Sequence, residues 1–343
     1  MANYNPDIEY LDRRLEILLL KSYPNLLNKL SNVGTSFNEF KGWTPLKLVA
    51  LSYFVQPYLN IIKSSLENKG MPTTLVYIDL FSGSGINKVG RYALVGSPII
   101  AIDCATKAKR QFDYLFFVDN NREYAKSLEE RLKFLESVEV HEQGKLFPEK
   151  KFSWISGKYE VLPKDANIAI DKIVAFLNKL SHKNYLAFLD PYKWQLEWRT
   201  LKKLLEIQYG DLFITLQATL IAKEIGRVES LSENTKKELS KFFGEPEEVW
   251  VKLNKESKVK KFYINKIKNY RKYVKDIMIQ GRTSRGAKFK YYLIFATRKE
   301  KPPWKAAIER LKRVIESYSG DIVEHAIKRL YGDAVRITDF LED

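Results

Sequence analysis

The stretch Tyr77-Ile-Asp-Leu-Phe-Ser-Gly-Ser-Gly85 narrows the choice of folds more than any other part of the chain. A hydrophobic run ends in an acid and passes at once into a turn of small residues. Backbone N–H groups approach a ligand closely only where side chains leave room, so such a turn is a candidate anchor for a nucleotide-like molecule. The surrounding pattern fits an open sheet. Short β-branched or aromatic runs alternate with helical stretches, and 74–79, 114–119, 152–155, 185–189 and 211–216 are predicted strands of a parallel sheet with helices on both faces. Two further runs, 277–280 and 290–297, flank a polar, Gly-bearing segment suited to an antiparallel hairpin.

Residues 1–71 read as a helical region placed before this sheet. Leu11, Leu15, Leu18, Leu19 and Tyr23 recur at helical spacing, and Thr44-Pro45 reads as the cap and first residue of a second helix running toward Lys69-Gly70. Residues 72–343 then form the α/β domain, with a largely helical insertion at 232–276 whose apolar face is Val259, Tyr263, Ile267, Tyr270 and Val274. The loop 87–98 is placed to lie over a ligand held by the small-residue turn.

A dehydrogenase-type fingerprint would place a third glycine three residues after Gly85, where Lys88 stands. The acid Asp79 ahead of the turn points instead to S-adenosylmethionine, whose ammonium group needs an anionic neighbour. Phe81, Ser82, Gly83 and Gly85 would cradle it; a purely structural turn is the plainer alternative. Asp119 closes the next strand, with Asn120 after it, and an acid there commonly accepts hydrogen bonds from ribose hydroxyls. It could equally cap the helix beginning near Arg122. The run Tyr185-Leu-Ala-Phe-Leu-Asp-Pro-Tyr192 ends in polar residues at the carboxyl edge, where open α/β sheets bind ligands. It resembles the Asp-Pro-Pro-Tyr motif of amino methyltransferases, with Asp190 and the Pro191 carbonyl as acceptors for a target amine and Tyr192 as a stacking face. One proline is present rather than two, and an ordinary Asp-Pro turn is the alternative.

Taken with Gly96-Ser-Pro98, Phe117-Val-Asp119 and Gln195-Leu-Glu-Trp198, these motifs resemble the three-Cys-motif partner proteins over roughly residues 43–304. The resemblance implies a Rossmann-like class I methyltransferase fold, five parallel strands plus a terminal antiparallel hairpin, and a separate partner protein carrying the cysteine motif. It departs at Lys193, where a glycine is common. It departs again at Ser156-Gly157-Lys158, where Gly157 matches the cofactor motif but the acid that would contact adenine is missing.

Charge supplies the substrate class. The 343 residues hold 58 Lys+Arg against 42 Asp+Glu, a net +16, which favours polyanionic partners. Residues 252–290 contain 14 Lys+Arg and 2 Asp+Glu, so most of the surplus is local. Lys260, Lys261, Arg271, Lys272, Arg282 and Arg285 are the predicted nucleic-acid contacts, RNA ahead of DNA. Interleaved Phe262, Tyr263, Tyr270 and Tyr273 could stack on bases or simply pack as core. Abundant Lys and Glu with few Cys and Met also mark thermophile proteins.

Cys104, the one cysteine, lies in an apolar stretch, and His141, His182 and His325 are scattered, so no metal site is expected. No signal-peptide pattern opens the sequence, and a cytoplasmic protein is expected. The sequence reading is thus a methyltransferase acting on a base nitrogen of a nucleic acid. A catalytically silent binding subunit of the same fold, ribose methylation with Lys193 as base, and a nicotinamide-dependent oxidoreductase are its rivals.

Overall fold

The computed structural model describes residues 6–40, 45–67, 72–282, 288–300, 304–318 and 320–333. Its strands, in chain order, are β1 (Asn38–Phe40), β2 (Thr74–Asp79), β3 (Ile86–Val89), β4 (Tyr92–Val95), β5 (Tyr114–Val118), β6 (Tyr159–Leu162), β7 (Lys183–Leu189), β8 (Gly210–Leu216), β9 (Tyr273–Arg282) and β10 (Lys288–Thr297). Seven of them form one sheet in the order β6-β5-β2-β7-β8-β10-β9. The first five run parallel, and β10 is antiparallel to both of its neighbours. The strand sequence therefore reverses direction between β2 and β7. Open α/β sheets bind ligands at such a switch point, beyond the carboxyl ends of the strands.

Successive side chains on a strand point to opposite faces, and the two cores follow that alternation. Leu75, Tyr77, Leu115, Phe117, Phe188 and Phe213 pack into one core, whereas Val76, Ile78, Phe116, Val118, Leu189 and Ile214 pack into the other. The first core is covered by α1 (Pro6–Leu18), α2 (Leu26–Ser31), α3 (Pro45–Glu67), α4 (Ser97–Thr106) and α5 (Arg122–Ser137), joined later in the chain by α12 (Trp304–Glu316) and α13 (Gly320–Leu330). The second is covered by α6 (Ala166–Lys179), α7 (Trp198–Glu206), α8 (Ala218–Ile225), α9 (Glu233–Phe243), α10 (Glu247–Trp250) and α11 (Glu256–Lys268). The helices of the first 71 residues thus share the core of one sheet face. Pro57 lies inside α3 without ending it. Among the described residues no helix is long and apolar enough to cross a membrane.

Three expectations change. The run 152–155 forms a short 3₁₀ turn, Ser153–Ile155, and the third parallel strand is β6, four residues later. Phe152 and Ile155, three apart, are both fully buried, which suits one side of a helical turn rather than an alternating strand. The stretch 87–98 is no free loop: β3 and β4 pair as a hairpin, and β3 also pairs with β1 in a separate three-stranded sheet. Finally, the insertion's apolar face ends with Tyr270, because Val274 already belongs to β9.

Candidate functional site

The carboxyl ends of the parallel strands open into a cleft of about 810 Å³. From β2 come Phe81, Ser82 and Gly83; from β5, Asp119 and Asn120; from β7, Asp190, Pro191 and Tyr192. Eight predicted residues from three distant stretches of sequence therefore line one cavity.

The small-residue turn is shaped from two sides. Asn38 of β1 accepts hydrogen bonds through Oδ1 from the backbone N–H of Ser84 at 2.7 Å and from its hydroxyl at 2.9 Å. Gly83 has φ +62°, and a Cβ added there would lie 2.6 Å from Asn38 Oδ1, so no other residue fits without displacing the amide. Behind the turn, the fully buried Arg131 donates to the carbonyls of Ser84 (2.6 Å), Ser36 (2.9 Å) and Leu30 (3.2 Å). Burial pushes its guanidinium down to about 10. Gly85 belongs to this scaffold and does not line the cleft.

Asp79 lies under the turn, fully buried, and does not itself line the cleft. Its Oδ1 accepts from the Phe81 N–H at 3.2 Å, and Oδ2 makes no hydrogen bond of good geometry. Burial pushes the carboxyl up to about 7, against the Ser97 hydroxyl and Phe81 N–H that favour its charged form; Asp190 and Asp119 push it further up. Asp119 accepts from Gly83 N–H and Asn121 N–H, each at 2.9 Å, and burial raises its pKa. It does not cap α5. Asn121 does, accepting from Glu123 and Tyr124 N–H, which leaves Asp119 to bridge β5 and the turn.

Asp190 forms an ion pair with Lys47 of α3, both side chains being largely buried. The lysine beside Asp190 is therefore not Lys193. Lys193 has φ +54°, the conformation in which glycine is ordinarily favoured, and its ammonium lies 5.6 Å from the Tyr192 ring and 5.0 Å from that of Trp194. Tyr192 is 60% exposed, so its ring is open for stacking. Its N–H donates to Gln195 Oε1 at 3.1 Å.

Gly157 falls outside the cleft. The Lys158 carbonyl next to it accepts from Leu115 N–H, at the start of β5 and the amino edge of the sheet. The acid missed after Gly157 follows the real third strand: Asp165 lies three residues past β6, caps α6 through the Asn167 N–H at 2.7 Å, and lines the cleft. Asn38, Lys47, Asn87, Thr215, Gln217, Lys223, Lys290 and Tyr291 also line it and carry no motif. Only the strand register marks Asp165 in the sequence.

The basic segment is less available than its composition implies. Arg271 is buried, donating to the carbonyls of Leu204, Leu205, Ile207 and Tyr270 and to the Tyr185 hydroxyl, so it holds α7 to the sheet and faces no solvent. Lys260 pairs with Asp276, Lys266 with Glu245, Lys275 with Glu309 and Lys290 with Glu256. Lys261 and Lys272 stay exposed. Arg282 ends β9; its side chain, and Arg285 altogether, lie outside the described residues. The aromatics are core: Tyr263 stacks on Phe242 with centroids 5.1 Å apart, and Phe262 packs edge-on against Phe243.

No protein-family model matches the sequence, and no curated protein matches it. Among solved structures, a Legionella pneumophila protein of the DUF519 family is similar at a TM-score of 0.43 and 12% identity, over 78% of this chain and 92% of that one. An O-methyltransferase from Bacillus cereus in complex with SAH is similar at a TM-score of 0.34 and 10% identity, over 87% and 93%. Likenesses this distant leave the assignment to this chain's own residues.

Proposed function

We propose that this chain is an S-adenosylmethionine-dependent methyltransferase of the Rossmann-like class I kind, acting on a base nitrogen of a nucleic acid, RNA ahead of DNA. One observation carries the reading: three neighbouring strand ends deliver the small-residue turn, Asp119 and Asp190-Pro191-Tyr192 into the same cleft. Its volume is within the roughly 300–1,000 Å³ typical of small-molecule sites. The polar groups suit the cofactor end to end. Gly83, with no side chain, lets the turn lie flat against the cleft between Asn38 and Asp119, Asp119 retains lone pairs for ribose hydroxyls beyond its two backbone bonds, and Asp165 stands at the β6 end for adenine. Asp79 is a buried carboxyl whose charge a neighbouring ammonium would restore. The bound cofactor supplies a methyl group on a sulfonium, an electrophilic carbon.

The chain's own part is to hold the acceptor in line with that carbon. Asp190, fixed by Lys47, would accept a hydrogen bond from the attacking amine, the Pro191 carbonyl would take a second, and the exposed Tyr192 ring would receive a base drawn out of its stack. The ribose route has less support, since Lys193 is turned onto two aromatic rings and Lys47 is engaged by Asp190. A separate protein bearing the three-Cys motif remains the proposed partner.

The test is incubation with labelled donor and total RNA or DNA, followed by nucleoside mass spectrometry, for wild type and Asp190→Ala. The expected result is an N-methylated base with wild type and none with the variant, while both bind donor. A ribose-methylated product, or full activity in Asp190→Ala, refutes the amine mechanism. Binding of donor and nucleic acid without transfer would favour the silent subunit.

A further inference from the structure

We propose that Thr215 is a positioning residue for Asp190: its hydroxyl donates to the carboxylate when an acceptor amine sits there and, with Lys47, turns the carboxylate toward that amine. This role rests on the amine mechanism proposed above and falls on a residue that carries no motif.

The strand register sets the two residues side by side. β7 and β8 run parallel, with Phe188 opposite Phe213 and Leu189 opposite Ile214, so the next pair outward is Asp190 and Thr215. Phe188 and Phe213 both belong to the core under α3. Side chains two apart on a strand share a face, so Asp190 and Thr215 also point to the α3 side. The other side of β8, with Leu212, Ile214 and Leu216, packs on α8. β10 closes the group. Leu293 is opposite Thr215, and Tyr291, two residues along the same face, has its hydroxyl pushed above the ordinary tyrosine range by burial and then by the Asp190 charge. Lys47 reaches Asp190 from α3. All four residues line the cleft.

Thr215 is only 4% exposed, and its hydroxyl has no hydrogen-bond partner among the described residues. Buried hydroxyls are ordinarily paired, and catalytic hydrogen bonds often tighten only once substrate is in place. Phe188, Phe213 and Leu293 around it on that face are apolar, which leaves the adjacent Asp190 carboxylate as the acceptor that a small side-chain rotation would bring to it. The rest of β8 from Leu212 to Leu216 is apolar too. Valine would fill the position at nearly the same volume with no polar group to satisfy, so packing alone gives the hydroxyl no purpose. A carboxylate has about four lone-pair positions. Lys47 engages it from the α3 side and Thr215 would engage it from β8, leaving the remainder to an N–H in the cleft. Thr215 therefore acts through Asp190 and not by touching substrate.

The experiment measures initial rates of methyl transfer from tritiated S-adenosylmethionine to total RNA and, separately, total DNA, over a range of nucleic-acid concentrations. Wild type, Thr215→Val and Thr215→Ser are compared, with urea unfolding and calorimetry of S-adenosylhomocysteine for each. Thr215→Val should lower kcat about tenfold with KM within about twofold of wild type, the signature of one hydrogen bond to a charged group made mainly in the transition state. Its S-adenosylhomocysteine affinity should not change, and its urea midpoint should stay level or rise, because the variant removes an unpaired hydroxyl. Thr215→Ser, which restores the hydroxyl, should recover kcat to within about threefold. A wild-type kcat in Thr215→Val overturns the role and leaves the methyltransferase reading standing. Thr215→Ser as slow as Thr215→Val assigns the effect to packing and overturns the role as well. So does a lower urea midpoint, or failure to fold, in Thr215→Val, since the hydroxyl would then serve the fold. Wild-type protein that transfers no methyl group to either nucleic acid overturns the reading on which the role rests, and the role with it.

Discussion

Replacing Asp79 by Asn removes a carboxyl that burial keeps neutral up to about pH 7, and the consequence has a definite sign. In the unfolded chain the group ionises near the ordinary aspartate value of 3.8, whereas burial moves it to about 7 in the folded chain. Between those values the unfolded state has lost a proton that the folded state retains, so stability falls as pH rises through the window and levels off above it. One pKa unit corresponds to about 1.4 kcal/mol, so the three-unit gap is worth about 4 kcal/mol at pH 8. Asp79→Asn keeps the acceptor for the Phe81 N–H and abolishes the titration. Urea unfolding at pH 5 and pH 8 should show a loss in wild type that exceeds the loss in the variant by about 3 kcal/mol, since by pH 5 the unfolded chain has already given up part of the window. Asp211, buried and pushed up to about 6, contributes the same trend to both proteins and cancels in the comparison. A ligand ammonium beside Asp79 would reverse the penalty, so donor affinity should climb with pH up to about 7, by at most tenfold per unit, with proton release. Equal pH dependence of stability in the two proteins would refute the reasoning.

Gly83→Ala should lower donor affinity at least tenfold and lower the urea midpoint as well, because the alanine must take a left-handed conformation and its added Cβ meets the Asn38 amide that shapes the turn; calorimetry and unfolding read the two effects separately. Arg271→Gln should destabilise by about 3 kcal/mol or more, since its removal strands buried carbonyls. Lys272→Glu, on an exposed side chain next to it, should stay within about 0.5 kcal/mol; thermal unfolding distinguishes them. Lys47→Met should leave donor affinity unchanged and lower kcat more than it raises KM, because it frees the Asp190 carboxylate from a fixed orientation; wild-type kinetics in Lys47→Met would remove that role.

What could be read from the sequence follows from range. The strand ends at Asp79, Asp119 and Asp190 sit in local patterns, a buried run followed by polar or small residues, and the sheet gathers them as such patterns imply. Phe152 and Ile155 misled because four residues cannot separate a strand from a helical turn, and this slip hid Asp165. β1 spans three residues and has no pattern of its own, yet it supplies Asn38. Lys47 and Asp190 meet only through the packing of α3 on the sheet. Counting charge along 252–290 could not reveal that Glu245 and Glu309, from outside that stretch, neutralise two of its lysines, or that Arg271 points inward.

The most direct test of the central claim is calorimetric titration of the whole protein with S-adenosylhomocysteine, beside NAD as competitor, in wild type and in Asp119→Ala. The account predicts one site per chain, no comparable affinity for NAD, and at least a tenfold loss in Asp119→Ala. Absence of binding, a preference for NAD, or undiminished affinity in the variant would contradict it.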